Sequence, residues 1–357
     1  RVLFRSGNDS LNGGAGADTL IGGDGADRLD GGDVGQNVAS YITAGSLVID
    51  VQGNSDTGHA IGDTFWNIQA IVGSEGADTI IGGLAQDGAR VKSLSGAGGN
   101  DVFRNIDPTL DTVFGGDGTD TIEANASGIS IDMTTGRYDS IEVVKGSGLA
   151  DSMTAASSAV TFYGEGGADS LTGGSAGDTL YGGDGNDTLI GNDGNDSLVA
   201  GLGVDNLSGG AGADTLDARG SGADDALTGG AGDDTILLDY SAGFVAASFL
   251  VDGGDGKDTL VLYMSNSGSL DINTTNFPDA KFTGLDVLDF SKDSADTNLT
   301  LTSAGIEALV DNNVAGTDLI INLKGGHDTF NGSLPLNAGS GAKVDVAGWT
   351  VEINWVA

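Results

Sequence analysis

The chain has 357 residues, 52 of them acidic and 14 basic, for a formal net charge of −38, and 64 are glycine. It has no cysteine, which excludes a disulfide framework, thiol catalysis and cysteine-ligated zinc. The charge makes nucleic acid and anionic membrane surfaces poor partners, and no apolar run approaches the roughly 20 residues of a membrane-spanning helix.

In chain order, Arg1-Val2-Leu3-Phe4-Arg5-Ser6 reads as the translated end of a sequencing-library adapter and is set outside the fold. On that reading the chain is a piece of a longer protein, entered in the middle of a repeat. A nine-residue period starts directly afterwards. Over residues 7–36 it places Asp9, Asp18 and Asp27 at one position of the repeat and Leu11, Leu20 and Leu29 two residues later, then fails at Val34 and Gln36.

Residues 37–163 are more divergent. Ser46–Val51 reads as a strand, and Ile68–Gly73 leads into a copy at Asp78. The scheme recurs with Ile129–Met133, then Ile141–Gly146 and a weak copy at Asp151, and copies at Asp101 and Asp120 lie between. The shared order predicts a duplicated β-rich unit of roughly 75 residues, which either extends a repeat stack with longer rungs or packs beside it as a small domain.

The main array, residues 164–237, repeats Gly-Gly-x-Gly-x-Asp-x-hydrophobic-x. Its clearest copy is Gly182-Gly183-Asp184-Gly185-Asn186-Asp187-Thr188-Leu189-Ile190. The sixth position holds Asp169, Asp178, Asp187, Asp196, Asp205 and Asp214, then Asp225 and Asp234 after a two-residue insertion. The eighth holds Leu171, Leu180, Leu189, Leu198, Leu207, Leu216, Leu227 and Ile236. Ala200 replaces the first glycine, Asn192 and Ser221 the second, and Ala176 and Ala223 the fourth, so those turns are expected to be distorted or to bind more weakly. In residues 238–357 one good copy remains, at Asp258. Strands are expected in Leu285–Phe290, Leu319–Leu323 and Trp349–Trp355, a helical turn or two in Ser303–Leu309, and a degenerate copy in Gly325–Phe330. This end reads as a cap, which a solenoid needs over its last rung.

The chemistry of the repeat follows from its residue types. Glycine permits positive φ and close backbone approach, so six residues make a tight turn with inward carbonyls. The last three form a short strand with the Leu buried, stable only when stacked on neighbours. Two repeats make one coil, which predicts an all-β parallel β-roll, a β-solenoid. Asp169, Asp187 and Asp205 then share one edge, and Asp178, Asp196 and Asp214 the other. Carboxylates about 5 Å apart repel by about 3 kcal/mol per pair at an effective dielectric of about 20. An oxygen-seeking divalent ion between turns reverses that sign, and Ca²⁺, which accepts six to eight mixed oxygens, suits it better than Mg²⁺. The candidate ligands are the sixth-position aspartates with the turn residues Gly182, Gly183 and Gly185. Asp184 and Asp193 at the third position either add oxygens or stay solvated. The isolated copies at Asp78, Asp101, Asp120 and Asp258 either ligate or are plain Gly-Asp turns. Catalysis has little support: Gly173-Gly174-Ser175-Ala176-Gly177 matches a nucleophile pattern but lies inside the repeat, and His59 and His327 lack partners in sequence.

The array resembles the RTX, or haemolysin-type calcium-binding, repeats of bacterial proteins exported by type I secretion. The resemblance covers residues 164–237 tightly, with scattered copies elsewhere. It implies a non-catalytic β-roll segment that binds several Ca²⁺ ions and folds outside the cell. Its partners would be calcium, a type I exporter and an extracellular or cell-surface ligand, and its end would carry an export signal. Similar repeats occur in the tails of extracellular proteases, lipases and polysaccharide-modifying enzymes, and in large adhesins, so the resemblance leaves the parent activity open.

Overall fold

The protein is described from a computed structural model. The structure describes residues 2–3, 6–33, 35–52, 56–84, 88–220, 225–240, 250–264, 268–272, 281–289, 297–301, 319–324, 329–330, 342–346 and 349–356. The chain divides into two compact units, residues 1–163 and 164–357. Both are all-β parallel solenoids. Among the described residues only two short 3-10 turns, Gly58–Ala60 and Met133–Thr135, interrupt the strands, and no helix is long and apolar enough to cross a membrane.

The eighth-position residue explains why each rung forms. Leu171, Leu180, Leu189, Leu198, Leu207, Leu216, Leu227 and Ile236 are all fully buried, each contributing about 1.5–3 kcal/mol of hydrophobic stabilisation. Register keeps like on like: Leu171 pairs with Leu189, Leu189 with Leu207, and Leu207 with Leu227. A slip of one residue would turn every Leu to solvent. The flanking Thr and Ser residues are half-exposed or, at Ser170, exposed.

In the second unit one ladder runs through Ser170–Thr172, Thr188–Asp193, Asn206–Ala211, Ala226–Ala231, Leu250–Asp255 and Lys281–Thr283. The opposite ladder runs through Thr179–Asp184, Ser197–Leu202, Thr215–Asp217, Thr235–Tyr240, Thr259–Met264, Val287–Asp289, Leu319–Lys324 and Trp349–Val356. The stack therefore continues past residue 237, where the nonapeptide period breaks. It ends on an antiparallel pair, Ala342–Val346 against Trp349–Val356. Many of these strands have six residues rather than the expected three. Gly183 at φ +108° and Gly201 at φ +104° remain extended enough to pair with each other, so pairing continues into the glycine turn. The helical turn expected over 303–309 and residues 325–328 of the degenerate copy lie outside the described residues.

The first unit resolves the two alternatives for residues 37–163 in favour of longer rungs. Val38–Ser40, Ala70–Val72, Ser93–Gly98 and Thr112–Asp117 stack in parallel on one side. Val48–Asp50, Thr79–Ile81, Val102–Arg104, Thr121–Glu123, Val143–Lys145 and Thr161–Tyr163 stack on another. Extra residues loop out between rungs without disturbing register. Phe65, Phe103 and Phe162 fill core positions that the second unit gives to Leu. The backbone of Val2–Leu3 also pairs in parallel, with Leu20 and Ile21.

Candidate metal centre

Stacking joins the sixth-position aspartates through their own backbone. The N–H of Asp169 donates to Oδ1 of Asp187, that of Asp187 to Asp205, and that of Asp205 to Asp225, each at 2.8 Å. On the other edge Asp178 donates to Asp196 (2.7 Å), Asp196 to Asp214, Asp214 to Asp234 (both 2.8 Å) and Asp234 to Asp258 (2.9 Å). The first unit repeats the device from Asp9 to Asp27, and from Asp78 through Asp101 to Asp120.

For most of these aspartates the second carboxylate oxygen has no such partner. Oδ2 of Asp18, Asp27, Asp101, Asp120, Asp187, Asp196, Asp205, Asp214, Asp234 and Asp258 is buried and accepts no hydrogen bond. Buried polar atoms in folded proteins are nearly always satisfied, and a buried unpaired charge is costlier still. These oxygens also sit where a side chain at the first glycine would point. A Cβ on Gly182 would collide with Oδ2 of Asp187 and the carbonyl of Ala200. One on Gly191 would meet Asp196 and the carbonyl of Gly209, and one on Gly209 would meet Asp214 and the carbonyl of Gly229. At Gly182, Gly191 and Gly209 a carboxylate oxygen and a stacked main-chain carbonyl thus face one spot that a side chain would fill.

Burial is the first cause of the raised carboxyls, ahead of repulsion along the column. Desolvation raises Asp196, Asp205 and Asp234 to about 6, and Asp258 and Asp101 to about 7. Asp27, Asp120, Asp187 and Asp214 rise for the same reason. The stacked backbone N–H pulls each of them back, and neighbouring carboxylates add less than burial does. Packing strips these carboxylates of water.

The turns are not all alike. The fourth-position glycines Gly185, Gly194, Gly203 and Gly212 lie at φ +128° to +148°, a region that L-residues avoid. Ala176 stands at that position in the copy before Asp178. There the turn closes on itself, and the Gly174 N–H donates to Oδ2 of Asp178 at 2.6 Å. Ser74 closes the Asp78 turn and Ser147 the Asp151 turn through the same N–H contact, each at 2.6 Å. At the second position Glu165 (φ +71°) and Asn192 (φ +74°) adopt the left-handed geometry without glycine. Ala200 is accommodated fully buried. Asp184 and Asp193 are exposed on the turn surface, and Asp9 and Asp18 are half-buried.

Four sixth-position acids escape the sequence pattern. The Asp27 N–H donates to Oδ1 of Asp63 at 2.8 Å, that of Asp120 to Glu142 at 2.8 Å, and that of Asp258 to Asp286 at 2.9 Å; buried Asp111 precedes Thr112–Asp117 in the same way. Their only trace in sequence is an acid two residues before a buried hydrophobe, without the glycines. Asp63 is also raised to about 7 by burial, and the Tyr41 hydroxyl donates to its Oδ2 at 2.6 Å.

No three His, Cys, Asp or Glu side chains converge on one point among the described residues. A cation here must therefore draw on main-chain carbonyls as well as aspartate, the mixed hard-oxygen set that Ca²⁺ accepts in flexible geometry. The unsatisfied Oδ2, the adjacent carbonyl and the glycine-only cradle fit that ion. Ser175 is exposed in a turn between two strands, with no following helix, so the geometry of a nucleophile elbow is missing there. His59 lies 3.0 Å from the exposed carboxylate of Asp24, and His327 lies outside the described residues.

A family model described as the RTX calcium-binding nonapeptide repeat (4 copies) matches residues 5–33, 69–87, 110–127, 146–180, 181–216 and 217–239. No curated protein sequence matches the chain. These segments thus carry RTX calcium-binding nonapeptide repeats.

Proposed function

We propose that this chain is a non-catalytic, calcium-dependent folding segment of a secreted bacterial protein. Asp187, Asp196, Asp205, Asp214 and Asp234 are its central ligands, with Asp18, Asp27, Asp101, Asp120 and Asp258 in the same role. The observation that carries this reading is the row of buried Oδ2 atoms without a donor. Bound Ca²⁺ supplies a hard positive charge beside each. The residues do the rest: Oδ1 holds the stacked N–H, glycine clears the cradle, and the Leu column excludes water.

The same arrangement supports a role in export. In a cytosol poor in calcium the buried carboxylates disfavour the folded chain, which suits passage through a type I exporter. Outside, millimolar Ca²⁺ exceeds the dissociation constants of roughly 10⁻⁴–10⁻³ M typical of extracellular modules. At ten times such a constant each independent site adds about 1.4 kcal/mol to folding. The antiparallel pair Ala342–Val346 with Trp349–Val356 closes the parallel ladder and serves as its cap.

The test is a Ca²⁺ titration of the chain at neutral pH, followed by circular dichroism. A cooperative coil-to-β transition is expected. In the Asp187→Ala, Asp205→Ala double variant its midpoint should rise about tenfold, the equivalent of roughly 1.4 kcal/mol. A spectrum indifferent to Ca²⁺, or a variant midpoint equal to that of the parent chain, would refute the reading.

A further inference from the structure

One edge of the first unit follows the same stacking rule without an acid column. The Asp18 N–H donates to Oδ1 of Asn37 at 3.0 Å, and the Asn37 N–H to Oε1 of Gln69 at 2.8 Å. Asn37 is fully buried, and its Nδ2 donates to the Asn67 carbonyl at 3.1 Å. A Cβ on Gly31 would collide with that Nδ2 and that carbonyl, as one on Gly182 would with Oδ2 of Asp187 and the Ala200 carbonyl. The amide nitrogen therefore stands where the metal-seeking oxygen stands elsewhere, and it bonds directly to the carbonyl that would otherwise face a cation.

Further along this edge Lys92 is exposed at the sixth position, and Asp111 follows with its side chain at 0% exposure. Arg90 holds Asp111 through both oxygens, Nε to Oδ1 at 2.8 Å and Nη2 to Oδ2 at 2.5 Å, and also reaches the Asn105 carbonyl at 3.0 Å. The Asp107 N–H adds a third donor at 2.8 Å. A planar guanidinium is always charged and matches a carboxylate bidentately, so it neutralises Asp111 as a bound cation would.

We infer that the edge from Asn37 to Asp111 is a calcium-independent staple, in which the amide of Asn37 and the guanidinium of Arg90 replace the metal. It keeps this side of the first unit stacked when calcium is absent, and gives the calcium-dependent turns at Asp101 and Asp120 a formed surface to close against. The inference rests on the reading that the unsatisfied Oδ2 atoms elsewhere need calcium.

Hydrogen exchange of the full chain, read by mass spectrometry with Ca²⁺ or with a chelator, tests it. In the chelator, amides of Ala70–Val72 and Ser93–Gly98 should exchange about tenfold or more slowly than those of Thr188–Asp193 and Asn206–Ala211. Equal exchange in the two regions, both recovering with Ca²⁺, would overturn the inference. Arg90→Met should expose Asp107–Phe114 to about tenfold faster exchange in either condition, and Ca²⁺ should not restore it. Restoration by Ca²⁺ would place a metal at Asp111 and sink the proposal. The double variant Arg90→Met, Asp111→Asn removes the stranded charge and should regain protection; failure to do so would count equally against it. Exchange in Thr188–Ala211 that ignores Ca²⁺ would refute the calcium reading itself, while the Arg90 comparisons still judge the staple.

Discussion

With calcium chelated, lowering the pH from about 8 to about 5 should fold the turns of the main array, because protons and calcium answer the same need. Folding raises Asp196, Asp205 and Asp234 from 3.8 to about 6 and Asp258 to about 7. A group whose pKa is higher in the folded state binds protons more tightly there. Its contribution is fully present below the unfolded value, near 4, and is lost as pH rises through 6 to 7. Metal-free β structure should therefore decline across that window, and the effect of added Ca²⁺ should be largest above it. Column repulsion alone would give a weaker and salt-sensitive dependence, since exposed charges are screened within about 10 Å at 0.1 M salt. Circular dichroism against pH in chelator, at low and high salt, separates the two. A metal-free chain equally unfolded at both pH values would contradict the burial account.

The second large effect is expected from Asp→Asn changes, for which Asn37 is the internal precedent. In the Asp187→Asn, Asp196→Asn, Asp214→Asn variant each new side chain keeps the Oδ1 that accepts the stacked N–H of Asp169, Asp178 or Asp196, at 2.7–2.8 Å in the parent chain. Each Oδ2 becomes an NH₂ facing the carbonyl of Ala200, Gly209 or Gly229. A buried charge without a donor becomes a neutral hydrogen bond worth about 1 kcal/mol net. Three such exchanges, about 3 kcal/mol together, should recover β structure in chelator at neutral pH that the parent chain lacks, read by circular dichroism. In calcium the order should invert, because the variant has lost three ligands. Alanine at the same positions should destabilise in both conditions, since it also orphans a buried N–H at about 1–3 kcal/mol each. If the Asn variant shows no more β structure than the parent chain in chelator, the reading of Oδ2 as an unmet acceptor is wrong.

The second unit was largely legible in sequence because its rule is periodic. Asp187 and Leu189 recur at fixed offsets, and period alone places Asp169, Asp187 and Asp205 along one edge. The first unit was harder to read, because its rungs keep the stacking rule while discarding the glycines. Asp63, Asp111 and Glu142 take sixth-position places in turns of irregular length, with only a following hydrophobe to mark them. The pairing of Arg90 with Asp111 spans 21 residues between two loops, and no local pattern reports it. The difference between Asp187 and Asp178 was also hidden. Both are sixth-position aspartates, but Ala176 in the second turn avoids the backbone region that Gly185 adopts, and that turn spends its N–H on Oδ2. Ala176 was visible as a departure from the pattern; its consequence depends on where one N–H points. Sequence spacing likewise placed the carboxylates in columns but could not show that packing, more than mutual repulsion, makes them costly.

The most direct test compares protease resistance and hydrodynamic radius of the full chain at neutral pH in millimolar Ca²⁺ and in chelator. Calcium should give a smaller particle whose second unit resists cleavage, and chelation should expand it and open residues 164–258 to protease. A chelated chain as compact and as resistant as the calcium-loaded one would show that the buried aspartates need no cation, and would contradict the account at its root.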